Sequence, residues 1–241
     1  MLYFDFVNPY LMYLITVGVT IFLIRSIFYK REFITKHKKK ILLIVTILLL
    51  WTQFARYAGI FFTGGREWSV WFFNFKIHGF NLRSHLPFYM CRISVVVLLY
   101  YLITKDKKVE SFLFYWGALG LAGVLYPNGD FTNSVNLTET FYIDHIILTV
   151  TPFFLVLYQK YVPTFKDAII ISVLMFAILV SFIFLNQVLE TDYFYLEDQS
   201  IFAVIFGKQP KVVFALVHSF VALGFFSAYY MLFKNKEFEV L

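Results

Sequence analysis

The sequence predicts an all-α, polytopic membrane protein: a seven-transmembrane-helix bundle forming one integral membrane domain over residues 1–241, with its N-terminus outside and its C-terminus cytoplasmic. Three observations lead there. Hydrophobic residues make up 60% of the chain and charged residues only 15%, where a soluble domain carries about 25% charged residues. The apolar residues fall into seven long runs, and the basic residues alternate from one connection to the next. A mean hydropathy of +0.73, with 32 Phe and 17 Tyr, excludes a disordered chain and nearly excludes a water-soluble one.

A spanning helix needs about 20 apolar residues, because the hydrocarbon core is about 30 Å thick and each helical residue rises about 1.5 Å. The runs that qualify lie at residues 10–28, 41–62, 86–104, 110–126, 143–162, 168–188 and 212–233. The fourth is short and holds Gly117, Gly120 and Gly123. Glycines at this spacing let two membrane helices approach closely.

Charge sets the expected orientation. Arg25, Lys30, Arg31, Lys36, Lys38, Lys39, Lys40, Lys105, Lys107, Lys108, Lys160, Lys166, Lys234 and Lys236 fall on one side, 14 of the 21 basic residues. Arg66, Lys76, Arg83, Lys208 and Lys211 fall on the other, beside nine of the 15 acids, which leaves Arg56 and Arg92 inside spans. Basic residues are retained in the cytoplasm, so the richer side is the inner one. This distribution also explains the net charge of +6 without nucleic acid. The expected partners are membrane lipids, and the expected location is the plasma membrane.

The first run has no basic segment before it, so it reads as a retained span rather than a cleaved signal. The basic connection from Lys30 to Lys40 reads first as a topology determinant, and second as a place for anionic headgroups. Residues 63–85, with Trp68, Trp71, Phe72, Phe73, Phe75 and Phe80, read as an interfacial or re-entrant segment. Residues 189–211 read as a surface lid.

Ionisable groups within spans are costly, so their depth matters. Cys91 and Arg92 lie about 8 to 9 Å into the third span at helical rise. Arg56 lies about six residues from the same outer surface, Asp144 and His145 begin the fifth span, and His218 is about six residues into the seventh. His85 stands at the mouth of the third span. These groups form one outer layer on four helices. Each alone is explained by the tolerance of helix ends for polar groups and by snorkelling; together they favour a site.

A thiolate is the nucleophilic form of cysteine, and a neighbouring His or Arg supplies it. Cys91, with His145 or His218 as acid and base and with Arg56 or Arg92 holding a phosphate or oxyanion, would meet that need. Asp144 is expected to pair with an arginine rather than with the ring of His145, because adjacent helical residues point about 100° apart. One cysteine excludes an internal disulfide and a cysteine-based zinc site, and no His pair has metal-ligand spacing. No metal and no cofactor are expected. A lone buried cysteine is also a common core residue.

The segment Leu86-Pro87-Phe88-Tyr89-Met90-Cys91-Arg92-Ile93 resembles the Leu-Pro-Leu-His-Leu-Cys opening of a central helix in the YwaF-like integral membrane proteins and the related transmembrane protein 164 acyltransferases. Phe114-Tyr115-Trp116-Gly117, then Leu125-Tyr126-Pro127-Asn128-Gly129-Asp130, and Ile143-Asp144-His145-Ile146 are similar to further segments of that family. Residues 86–160 carry the resemblance. It implies a lipid acyltransferase in which Cys91 takes an acyl chain from a phospholipid as a thioester, His145 moves the protons, and a lysolipid accepts the chain. Arg56, Arg92, His218, His85 and Asp144 are then the candidates for substrate binding. Tyr89 stands where the family has a histidine.

The rival expectation is a non-enzymatic lipid- or anion-binding or transport protein using the same layer. Transporter sites usually lie nearer the bilayer midplane. A receptor or assembly subunit, in which the layer is only structural, is the third possibility.

Overall fold

The computed structural model describes residues 9–62, 67–70, 73–76, 86, 88–125, 139–197, 199 and 207–234. Each of the seven apolar runs holds helix among the described residues. They are α1 (Pro9–Tyr29), α2 (Arg31–Phe62), α3 (Met90–Thr104), the successive α4 (Glu110–Ala118) and α5 (Gly120–Leu125), α6 (Glu139–Gln159), α7 (Phe165–Leu189) and α8 (Lys211–Phe233). Among the described residues α6, α7 and α8 are each long and apolar enough to cross a membrane, and α1 with α2 passes the same test as a pair bent by 113°. Helix α3, at 15 residues, is shorter.

The all-α class holds, with one short local addition. Within residues 63–85, read above as an interfacial or re-entrant segment, β1 (Glu67–Val70) and β2 (Phe73–Lys76) form an antiparallel hairpin pairing Glu67 with Lys76 and Trp68 with Phe75. Aromatic residues suit a pleated surface, and two residues between the strands are enough for a hairpin connection.

Two compact units make up the chain: residues 1–80 with 94–160, and residues 81–93 with 161–241. In the first unit α6 packs against α1, α2, α4 and α5. The glycine expectation holds in detail. A Cβ at Gly117 would stand 3.2 Å from the Leu148 carbonyl oxygen, one at Gly120 would stand 2.8 Å from Leu148 Cβ, and one at Gly123 would enter the His145 ring. Bare backbone on α4 and α5 therefore lets α6 come close, which is how membrane helices gain packing energy without a hydrophobic drive. Pro152 adds a reason at Gly117. It has no N–H for the Leu148 carbonyl four residues back, and that carbonyl faces Gly117.

Helix α2 begins at Arg31, so the basic connection is mostly helical. Ile34, Lys38 and Ile41 recur at four and three residues, which puts them on one face. Ile34 joins Ile27 of α1 and Tyr158 of α6 in a buried cluster that also holds Ile41, Phe153 and Phe154. The Tyr158 hydroxyl donates to the Ile27 carbonyl at 2.6 Å, and Lys38 Nζ donates to the Tyr158 carbonyl at 2.6 Å.

The second unit is built on α7 against α8. Helix α7 starts with the Thr164 side chain capping the Asp167 N–H and ends at Glu190 in the left-handed conformation. The chain then turns through Tyr193–Tyr195. This part of the segment read as a surface lid is packed instead: Tyr193, Phe194, Leu196 and Gln199 are buried. Asn186 holds the turn by donating Nδ2–H to the Tyr193 carbonyl at 2.9 Å and accepting the Tyr193 N–H at 3.0 Å. Residues 201–206 lie outside the described residues. On the outer faces of these helices Phe184, Val188, Phe220 and Leu232 are exposed, a surface suited to lipid rather than water.

Candidate functional site

In the first unit, the site residues come from α6. Asp144 and His145 are both buried, at 2% and 6% exposure, which is costly for ionisable groups in a membrane unless each is satisfied. The Thr52 hydroxyl of α2 donates to Asp144 Oδ1 at 2.8 Å and the Gln53 amide donates to Oδ2 at 3.1 Å. Where an arginine was expected, the described donors are thus a neutral hydroxyl and a neutral amide. Thr52 has one proton, and the Leu49 carbonyl oxygen lies 2.9 Å from the same hydroxyl as a second acceptor.

His145 is held differently. Its Nδ1 lies 2.7 Å from the Phe141 carbonyl oxygen, one turn back on α6. A carbonyl only accepts, so Nδ1 carries the proton and the neutral ring keeps its lone pair on Nε2. The Phe141 ring lies along the imidazole, with centroids 3.9 Å apart. Opposite, the Cδ2–Nε2 edge fills the space above Gly123, where a Cβ would come within 2.0 Å of Cδ2 and 2.5 Å of Nε2. The ring is fixed in tautomer by its own helix and in position by α5.

The second unit holds Cys91, Arg92 and His218. Cys91 is half-buried in the first turn of α3. Arg92 donates to the Leu86 carbonyl at 3.2 Å and lies over the Tyr89 ring, 4.9 Å from its centroid. Tyr89 in turn packs edge-on to Tyr193, with centroids 5.0 Å apart, and the Tyr193 hydroxyl accepts the Leu86 N–H at 3.1 Å. Phe88 meets Tyr193 and Phe182 in the same aromatic group. Tyr89 is thus the surface on which Arg92 rests.

His218 lies on α8 with its ring 5.5 Å from that of Phe214, and it makes no hydrogen bond among the described residues. Arg56 is on α2 one turn beyond Thr52, but its side chain lies outside the described residues, as does His85 entirely. Among the described residues no cluster of His, Cys, Asp or Glu is placed to hold a metal ion.

Sequence reasoning missed Thr52, Gln53, Phe141 and Tyr193. The first two carried a signal, since Thr and Gln side by side in the otherwise apolar stretch Leu48-Leu49-Leu50-Trp51-Thr52-Gln53-Phe54 invite a polar partner. Gly123 was legible as a close-approach residue but not as the seat of a particular ring.

Long apolar helices with lipid-suited outer faces define an integral membrane protein. The chain belongs to the TMEM164 family, whose sequence model matches residues 3–230. No curated protein and no solved structure matches it.

Proposed function

We propose that the protein is a membrane-embedded lipid acyltransferase with Cys91 as nucleophile and His145 as acid and base. The observation that supports this most is the His145 ring, whose Nδ1 proton is committed to the Phe141 carbonyl so that Nε2 is the basic atom. Family membership agrees with a role at a membrane.

In the proposed first half-reaction the Cys91 thiol is deprotonated by a general base, the role assigned to His145, and the thiolate attacks the ester carbonyl of a phospholipid. The tetrahedral adduct collapses, the C–O bond breaks, and the departing lysolipid alkoxide takes the proton back from the imidazolium. Cys91 is left as a thioester. In the second half-reaction a lysolipid hydroxyl loses its proton to Nε2 and attacks the thioester; the C–S bond breaks and the thiolate is reprotonated. Arg92, Arg56 and His218 are the proposed binding groups for phosphate or carbonyl oxygen, and His85 and Asp144 are further proposed substrate-binding residues. The proposed setting is a plasma-membrane bundle of seven spans with the N-terminus outside.

The test uses purified protein with radiolabelled phospholipid donor and lysolipid acceptor. Cys91→Ser and His145→Ala should each lower transfer by about 10²-fold or more, and a hydroxylamine-sensitive acyl adduct should map to Cys91. Transfer by both variants at the wild-type rate would overturn the reading and favour non-enzymatic lipid binding.

A further inference from the structure

We propose that the face of α1 around Arg25 holds an anionic phospholipid, with Arg25 and Lys30 on its phosphate and an acyl chain along Ile21, Phe22 and Gly18. Two cavities meet there. One, of about 700 Å³, is lined by Ile21, Ile24, Arg25, Phe28 and Tyr29; the other, of about 350 Å³, is lined by Phe22, Arg25, Ser26, Tyr29 and Lys30. Both volumes are those of small-molecule sites, which run from about 300 to 1,000 Å³. Arg25 and Tyr29 line both cavities, and the Arg25 guanidinium carbon lies over the Tyr29 ring, 5.3 Å from its centroid. Phe28, in the lining of the larger cavity, is braced edge-on against Phe153 of α6 with ring centroids 5.9 Å apart.

An arginine near the end of a span needs no ligand to reach water, because its long stem lets the charged head snorkel. The setting of Arg25 goes beyond that. Its guanidinium lies over an aromatic face at the meeting of two cavities, and a guanidinium engaged through its face keeps its N–H edges for a phosphate. Lys30 follows α1 directly, where the chain turns by 113° into α2, and it lines the smaller cavity beside Arg25. Neither cation meets a carboxylate among the described residues, and Glu32, the nearest acid in the sequence, pairs with neither of them there. The charge that would complement this pair is therefore a phosphate's.

Depth and apolar lining select a lipid over a soluble anion. Residues 9–24 carry no charge and Arg25 is the first basic residue of the chain, so its head lies where the apolar part of α1 ends and headgroups begin. Gly18 is seven residues deeper, two turns and about 10 Å along the same face. It is exposed, and a Cβ there would meet nothing within 4 Å. Ile21 and Phe22 stand exposed between the two, at 61% and 67%. An acyl chain leaving a phosphate on Arg25 thus finds an apolar track with no side chain at its deeper end. None of these residues takes part in the proposed acyl transfer.

The experiment uses full-length protein in neutral detergent micelles doped with phosphatidylglycerol or phosphatidylcholine, with retained lipid counted by native mass spectrometry. Wild type should retain phosphatidylglycerol in preference. Arg25→Gln should lower that retention by roughly tenfold, the loss of one strong charged hydrogen bond, and Lys30→Gln added to it should lower it further. Gly18→Leu, which fills the track and leaves both cations in place, should lower it as well. Lys166→Gln on α7 and Gly224→Leu on α8, which remove a charge and fill an open glycine elsewhere, should leave it unchanged. Retention by Arg25→Gln or by Gly18→Leu equal to that of wild type would overturn the proposal, as would equal retention of the two lipids by wild type. Complete displacement of the lipid by inorganic phosphate would also overturn it, by showing a site for a free anion.

Discussion

The imidazole of His145 occupies the space that a side chain at residue 123 would fill: a Cβ there would lie 2.0 Å from Cδ2 and 2.5 Å from Nε2. Gly123 is therefore a positioning residue for the ring as much as a packing residue between α5 and α6. Gly123→Ala should force the imidazole out of its place or part the helices, at about 1 to 3 kcal/mol. Thermal unfolding in detergent checks the cost, and the ¹⁵N chemical shifts of His145 check the displacement. Gly224, with open space around it, supplies the control, since Gly224→Ala should leave both readings alone.

Among the described residues Asp144 accepts from two donors on α2. Removing the Thr52 hydroxyl by Thr52→Val should cost about 1 kcal/mol, and Asp144→Ala, which strands both donors in the interior, about 1 to 3 kcal/mol. Because the groups share one network, the double variant should cost less than the two single costs added. Strict additivity in a double-mutant cycle would show that the contact contributes nothing.

Arg92 rests on the face of the Tyr89 ring, and the ring rather than its hydroxyl supplies the attraction. Tyr89→Phe should leave Arg92 in place, whereas Tyr89→Leu should release it at a cost of about 0.5 to 1 kcal/mol. Protection of Arg92 from a guanidine-modifying reagent separates the two variants.

Asn186 closes a reciprocal pair of hydrogen bonds on the backbone of Tyr193. Asn186→Leu leaves a buried N–H and a buried carbonyl without these partners, so a loss of about 2 to 4 kcal/mol is expected from two such groups. Limited proteolysis after Asp192 should become faster in this variant, because the turn carrying Tyr193 and Phe194 is what the asparagine holds down.

Helix positions were legible because a membrane span writes itself into the chain as a long apolar run, and each such run holds helix among the described residues, the fourth as two short helices. The close approach through Gly117, Gly120 and Gly123 was legible for a related reason, since a three-residue repeat survives in sequence. The β1–β2 hairpin was not, because aromatic residues mixed with polar ones fit an interface and a strand equally well. Partners across helices were also hidden. Nothing in the spacing of Asp144 names Thr52 or Gln53, which lie 92 and 91 residues away, and the partition of Cys91 and His145 between two compact units is a property of tertiary contacts alone.

Pro152 leaves the ladder of α6 one rung short between Asp144 and His145 on one side and Tyr158 on the other. The oxygen of Leu148, deprived of an amide, is turned toward a neighbour that has only hydrogens to offer. Residue 117 thus faces a carbonyl oxygen that its own helix leaves without the usual amide, which adds to the spatial reason for a glycine there.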